Sequence, residues 1–407
     1  MARSFTPAQW SRINGFTDWS DFGLPHRRTK SVTIGTFNIR KLGAVKNRSE
    51  GAWQFLRASC EPFDLLAVQE VMDDLAGLRQ IKAALGDKWG LVVSDITGGA
   101  FNQAELIQGK RGNPERLAFL FRWDRIRRTE LASDISYDRS DVVNRIFRQR
   151  LDYAATWDTH LGDLGKWEQK CVFAKETGKR RPGRPPIELP DFLTFIRQPH
   201  CASFEVIPKG DADPLRFLAI NAHLLYGVNP DERRWEFEAL IDWLTVRAKN
   251  AQRMYYPNLV LLGDCNLEFE AFGLKRADID ARLKELNATV LKSRQAAKVN
   301  FPLLTPHPRD GELRTTARQT QTYDQIGIFS HDTGWPTVDA NARAGQDGVN
   351  GFDYGVFRFT DLFAQALHQK PFQALTKTQR SQLIKHCEHD VSDHLPAWFR
   401  LPIPGAD

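Results

Sequence analysis

A chain of 407 residues that is 42% hydrophobic and 26% charged can bury one large core or two smaller ones, which excludes a disordered or fibrous protein. Its five cysteines, at positions 60, 171, 201, 265 and 387, form no Cys-x-x-Cys pair, so neither a disulfide framework nor a zinc knuckle is indicated and a reducing compartment is the natural setting. A formal charge of +6 suits an anionic partner without selecting one; no apolar signal core opens the chain and no uncharged run is long enough to span a bilayer, so a cytoplasmic location without membrane contact is expected.

Residues 1–30 place Trp10, Phe16, Trp19 and Phe22 among polar residues and read as an arm packing its aromatics on the body. Ser31 to Asn38 is rich in β-branched and aromatic residues and predicts a strand, followed by a polar loop from Arg40 to Arg48. Gly51 to Cys60 predicts a short helix, Asp64 to Glu70 a strand, and Asp73 to Leu85 a helix with Leu75, Leu78, Ile81 and Leu85 at helical spacing. Leu91 to Ser94 and Leu117 to Arg122 are further strands, separated by a Gly- and Asn-rich loop that holds Lys110, Arg111 and Glu115.

Between Ser133 and Pro199 the pattern changes. Asp141 to Trp157 predicts an amphipathic helix, and Lys175 to Pro190 is dense in Lys, Arg, Pro and Gly, so about 134–198 reads as a basic insertion without a core of its own. The body resumes with a strand from Phe217 to His223. Pro230 to Lys249 is the clearest helix, with Asn229 placed to cap it, Pro230 at its first position and acids at 231 and 232. Leu259 to Leu262 is a buried strand after which Gly263 lets the chain turn, a charged helix follows from Arg276 to Leu286, and a Pro-rich loop leads to Thr322. Asp324 to Phe329 and Pro396 to Leu401 complete the strands, with a Gly- and Asn-rich loop at 339–352 and a helix around Thr376 to Cys387 between them.

The polar strand ends, collected in order, are Asn38, Gln69-Glu70, Asn221-x-His223, Asp264-x-Asn266, Tyr323-Asp324-Gln325 and Ser392-Asp393-His394. Strand ends gathered on one side of a sheet sandwich bring such groups to one rim, where they make a hard-cation site beside two imidazoles. Taken singly, each has a structural alternative: Asn38 as a turn cap, Glu70 as a solvated acid, His223 as a core histidine, Asp393-His394 as a turn.

In that order, Thr36-Phe37-Asn38-Ile39-Arg40, Val68-Gln69-Glu70-Val71, Asn221-Ala222-His223-Leu224, Leu262-Gly263-Asp264-Cys265-Asn266, Tyr323-Asp324-Gln325-Ile326 and Ser392-Asp393-His394-Leu395-Pro396 resemble the signature of the endonuclease/exonuclease/phosphatase superfamily, the deoxyribonuclease I-like fold. The match spans about 31–402 outside the insertion. The resemblance implies a four-layer α/β/β/α sandwich of two packed mixed β-sheets flanked by helices. It also implies hydrolysis of phosphate esters with magnesium, or manganese as a substitute. Carried over by motif, Glu70 is the central metal ligand with Asn38 and Asp393 in or near the coordination sphere, an all-oxygen set that suits magnesium. Asp264 orients or deprotonates the attacking water, Asn266 holds the phosphate, and His223, paired with Glu115, bonds a nonbridging oxygen. His394, oriented by Asp324, stabilises or protonates the leaving side. Tyr323 is expected to pack behind the site.

Departures narrow the substrate. Leu262-Gly263-Asp264 lacks the Trp that inositol polyphosphate phosphatases carry before the Gly-Asp, and Tyr323-Asp324-Gln325 departs from the Leu-Asp-Tyr run of abasic-site endonucleases. Lys179, Arg180, Arg181 and Arg184 give the insertion a dense positive charge, and Arg181-Pro182-Gly183-Arg184-Pro185 resembles a degenerate AT-hook for the minor groove of DNA, the alternative being a solvated basic loop. Arg180, Arg181 and Arg184 are therefore candidate substrate contacts. The expectation is a metal-dependent nuclease acting on nucleic acid, DNA before RNA, by internal cuts. A phosphomonoesterase or lipid phosphodiesterase on the same site is the enzyme alternative, and a catalytically silent nucleic-acid-binding module the non-enzyme one. His386, Cys387 and His389 lack a second half for a metal site and are left out.

Overall fold

A computed structural model describes residues 4–406 apart from 17, 73, 99–113, 186, 188, 227–229, 250–255 and 267–297. The predicted helix at 276–286, the cap residue Asn229 and the loop cations Lys110 and Arg111 lie outside the described residues. The first sheet is built from β1 (Ser31–Leu42), β2 (Leu65–Val71), β3 (Trp89–Val93), β4 (Arg116–Arg122), β11 (Asp353–Val356) and β12 (Ala397–Pro402), in the order β11-β12-β1-β2-β4-β3. The second holds β5 (Ile126–Asp134), β6 (His200–Val206), β7 (Leu215–His223), β8 (Leu259–Asp264), β9 (Lys298–Asn300) and β10 (Asp324–Ser330), in the order β5-β6-β7-β8-β10-β9. Both sheets are mixed: β1 runs parallel to β2 and β7 parallel to β8, the other pairings being antiparallel.

The sheets pack face to face through Val68, Phe119, Phe204, Phe217, Val260, Leu262, Ile326 and Ile328, all fully buried. Alternate residues of the same strands point outward and need a second cover, which explains unbroken apolar runs such as Leu65-Leu66-Ala67-Val68. Helices supply it. α2 (Glu50–Cys60), α3 (Ala76–Leu85), α7 (Phe359–His368) and α8 (Lys377–Asp390) contribute Phe55, Leu56, Leu78, Phe363 and Leu383 to the core of the first sheet. α6 (Pro230–Lys249) lays Leu240, Ile241 and Leu244 against Ile220, Leu259 and Leu261 of the second. The result is the four-layer sandwich that the resemblance implies. The N-terminal α1 (Pro7–Asn14), with a Thr6–Gln9 capping box, seats Trp10 edge-on to Phe363, so the arm's aromatics do pack on the body.

Several elements differ from expectation. β1 continues to Leu42 through the stretch read as a polar loop, because its last residues keep pairing with Val71 after a bulge. β5, β6, β9 and β11 carry no clear period in sequence; β5 is exposed along most of its length and β9 is three residues long. Gly263 does not turn the chain after the strand. It lies inside β8 at φ 150°, where a Cβ would stand 1.9 Å from the Ala222 carbonyl oxygen. In the insertion, the single helix expected at 141–157 is two helices, α4 (Arg139–Arg148) and α5 (Arg150–Glu176), broken at Gln149. α5 runs nearly twenty residues past Trp157 because Ala, Leu, Lys and Glu sustain a helix even without a buried face. No described helix is long and apolar enough to cross a membrane.

Candidate active site

Strand register assembles the site. His223 pairs with Asp264 across β7 and β8, and Asp264 pairs with Asp324 across β8 and β10, so three ionisable side chains fall in one row. On the other sheet Asn38 pairs with Gln69, one residue before Glu70. The Ser392-Asp393-His394 turn leads into β12, and Ser392 Oγ donates to the Asn38 carbonyl at 2.6 Å, which fastens that turn to β1. Asn38 Nδ2 then donates to Asp264 Oδ2 across the two sheets at 3.0 Å.

Asp264 is the centre. Its Oδ2 faces Nε2 of His394 at 3.4 Å and Nε2 of His223 at 3.7 Å, while its Oδ1 accepts the Asn266 backbone N–H at 2.9 Å. Each imidazole is held from behind by another acid: His394 Nδ1 bonds Asp324 Oδ2 at 2.8 Å, and His223 Nδ1 bonds Glu115 Oε1. All five groups are buried. Burial alone pushes the Asp264 carboxyl up, but His394, His223, Asn38 and the Asn266 amide outweigh it and hold the pKa below the ordinary carboxylate range. Burial pulls the His394 imidazole down, yet Asp264 and Asp324 raise it well above the ordinary histidine value. His223 is likewise pulled down by burial and raised on balance by Glu115. Asp324 is raised by burial, with His394 opposing. The Cys265 thiol, next to Asp264, is raised far out of reach by burial and by that carboxylate, so it takes no part as a nucleophile.

A cavity of about 410 Å³ opens on this cluster, lined among others by Glu70, Glu115, His223, Asp264, Asn266, Asp393 and His394. Glu70 (φ 57°) and Asn266 (φ 48°) both hold left-handed backbone conformations that L-residues rarely adopt, a strain concentrated at the cavity wall. The Asn266 side-chain amide is committed to the Leu224 carbonyl at 3.0 Å. Tyr323, expected behind the site, is half-buried and lines the cavity, its ring 6.3 Å from that of His394.

Arg180, Arg181 and Arg184 are not brought here. They are exposed; Arg181 and Arg184 lie over the Trp167 ring at 5.0 and 5.4 Å, and Trp167 Nε1 donates to the Pro182 carbonyl, so the segment folds back on α5. Two groups escaped the sequence reading. Arg197, buried, sets Nε 3.0 Å from Glu115 Oε1 and donates from Nη1 to the carbonyls of His223 and Leu224. Glu236 on α6 accepts the backbone N–H groups of Ile196 and Leu225 behind His223, and burial lifts its carboxyl to about 7. Arg197 sits alone in the run Phe195-Ile196-Arg197, a charge in an apolar stretch that was the available signal; Glu236 looked like any helix acid.

Among the described residues, two donor sets could take a cation. Asp264, Asp324 and His394 offer atoms within 4.8 Å of one another, but Asp264 Oδ2, Asp324 Oδ2 and His394 Nδ1 already serve each other and Asn38, and only Asp324 Oδ1 lacks a partner there. Asn38 Oδ1 and Asp393 Oδ1 are buried without a hydrogen-bond partner, and Glu70 shares the cavity with Asp393. Orphaned oxygens beside a carboxylate fit a hard divalent ion, which the oxygen-only set of Glu70, Asn38 and Asp393 would hold.

No protein-family model and no curated protein sequence matches the chain. Among solved structures it is similar to a mannosyl-6-phosphatase of Bacteroides thetaiotaomicron (12% identity, TM-score 0.43, covering 91% of this chain and 99% of that one). It is also similar to the catalytic domain of human Nocturnin with bound sulfate (12% identity, TM-score 0.42, 92% and 94%). A third is D. rerio TDP2 complexed with a single-strand DNA product (12% identity, TM-score 0.43, 91% and 98%).

Proposed function

We propose that this chain is a metal-dependent phosphodiesterase of the endonuclease/exonuclease/phosphatase type that hydrolyses nucleic acid, DNA in the first place, by internal cuts. The observation that carries the reading is the placement of Asp264 Oδ2 opposite Nε2 of both His223 and His394, each imidazole backed by its own acid. In-line displacement at phosphorus needs a base on the entering oxygen, donors for the nonbridging oxygens and a donor for the leaving oxygen. Asp264, ionised because its pKa is depressed, orients the water and accepts its proton. His394, protonated because two carboxylates raise it, donates to the leaving oxygen or stabilises its charge, with Asp324 fixing the ring. His223 donates to a nonbridging oxygen, and the Glu115–Arg197 pair holds it in place. A divalent ion on Glu70, Asn38 and Asp393 would supply charge neutralisation at the phosphate.

The test is incubation of wild type and Asp264→Ala with supercoiled plasmid, linear duplex and single-stranded RNA, in magnesium, manganese or EDTA. Metal-dependent nicking of the closed circle, absent in the variant, is the expected result. Cleavage of no polymer, with release of phosphate or head group from small esters, would move the site to a phosphomonoesterase or lipid phosphodiesterase. An Asp264→Ala protein that keeps full nucleic-acid binding while wild type cleaves nothing would make it a binding module.

A further inference from the structure

A second cavity, about 480 Å³, opens beside the first and is lined by Arg40, Lys41, Asn47, Arg48, Lys385 and His389. Glu388 forms a wall common to both cavities. The two are also joined through the backbone, since the Lys41 N–H donates to Glu70 Oε2 at 2.9 Å. The second cavity is strongly cationic. Among the described residues, Arg40, Lys41 and Lys385 have no carboxylate partner, and Arg40 Nη1 reaches only the Glu388 carbonyl. Arg48 spends its guanidinium on the carbonyls of Lys41, Arg40, Val391 and Asp390 and so fixes the floor. The one carboxylate in the wall, Glu388, is drawn off by Arg318 at 2.8 Å. Lys41 and Lys385 are exposed, and Lys41 is held in a left-handed backbone conformation at φ 47°.

A small ester that fills the first cavity has no use for this surface. A polymer with a charge at every nucleotide does, because each phosphate leaving the catalytic cavity on this side meets unpaired cations in place of solvent. We propose that the Arg40/Lys41/Lys385 groove is the track for the backbone phosphates of a nucleic-acid strand next to the bond that is cut, so that it, and not the basic segment at 179–184, sets affinity for the polymer. The proposal rests on the nuclease reading and is tested apart from it.

The measurement is fluorescence anisotropy of labelled single-stranded oligodeoxynucleotides of increasing length, in EDTA, over a salt series, with full-length wild type, Lys41→Ala, Lys385→Ala, Lys385→Arg and Arg184→Ala. Wild-type affinity is expected to rise with oligomer length until the groove is filled. The two lysine-to-alanine variants are expected to weaken binding several-fold and to reduce the slope of log K against log salt by about 0.7 each, the value for one phosphate contact on a single strand. Lys385→Arg restores the slope, which a folding defect would not allow. Loss of the slope in Arg184→Ala but not in the lysine variants would overturn the proposal, as would absence of oligonucleotide binding by wild type. Hydrolysis is scored separately: unaltered binding by both lysine variants of an enzyme that cuts DNA removes the groove and leaves the nuclease, whereas lysine-dependent binding without cleavage by wild type removes the nuclease and leaves the groove.

Discussion

Gln69 on the first sheet donates from Nε2 to Asn221 Oδ1 on the second at 2.6 Å, across the buried space between the sheets. Asn221 Nδ2 in turn donates to the carbonyls of Val68 and Ala118, so one amide ties β7 to two strands of the opposite sheet directly beneath the site. Replacing Asn221 by Leu strands two carbonyls and an amide in low dielectric. The expected cost is about 3 kcal/mol, read as a lower denaturation midpoint; an unchanged midpoint would show that the tie carries no stability.

Asp264→Asn keeps the shape of the carboxylate and removes its charge. Turnover is expected to fall roughly 10²–10⁴-fold. NMR of the ring protons should also show the His394 pKa falling, since one of the two acids that raise it is gone. A variant that retains turnover would remove Asp264 from the role of base.

Arg197 and Glu115 are both buried and face each other at 3.0 Å. Arg197→Ala takes the buried cation away from Glu115, whose remaining partner is the His223 ring, and removes a donor from the His223 carbonyl, and should cost about 3–5 kcal/mol. Adding Glu115→Gln should recover part of that loss. A double-mutant cycle in denaturant that shows simple additivity would mean the two do not act as a pair.

Glu236 makes a pH prediction. Its folded pKa, lifted by burial to about 7, lies above the ordinary glutamate value, so between pH 4.5 and 7 the folded state binds the extra proton. Its contribution to stability is therefore most favourable at the acid end and is lost as pH rises, a change of about 3 kcal/mol complete above pH 7. Glu236→Gln should flatten this part of the profile, so the difference in unfolding free energy between variant and wild type shifts toward the variant from pH 5 to pH 8. A difference independent of pH would contradict the assignment.

Magnesium binding is predicted to raise the melting temperature of wild type, with a stabilisation near 2.7 kcal/mol at a hundredfold excess over Kd. Glu70→Ala should abolish the shift, while Asp324→Asn should preserve it if Asp324 serves the His394 ring through Oδ2 and the ion sits on Glu70, Asn38 and Asp393. A shift lost in Asp324→Asn and kept in Glu70→Ala would move the metal to the Asp264–Asp324–His394 group.

How much of this was legible in the sequence follows from how each residue is used. Glu70, His223, Asp264 and Asp324 stand at or next to the ends of apolar strands, Asn38 lies within β1 and Asp393 and His394 just before β12, each a polar residue that breaks a hydrophobic stretch and so announces itself. Their mutual arrangement follows from strand register, which alternation alone does not set. Glu236 acts from behind His223 as a buried acceptor of backbone amides, and nothing local distinguishes it from a surface acid, whereas Arg197, the buried partner of Glu115, shows only as a charge in an apolar run. The basic segment at 179–184 was visible by charge density, but its fold-back onto Trp167 depends on a tertiary contact that composition does not report. Short edge strands such as β9 and β11 draw their stability from neighbours and carry little period of their own.

The sheet order β11-β12-β1 has a consequence for how the molecule is made. β1 pairs with β12, some 360 residues later in the chain, through a register that joins Ser31 to Pro402. Until residues 397–402 leave the ribosome, that side of β1 presents unpaired backbone groups to solvent and to other nascent chains. Asp393 and His394 emerge immediately before β12 and are anchored only when it docks. Anchoring of the Asp393–His394 turn is thereby tied to the same pairing that closes this side of β1.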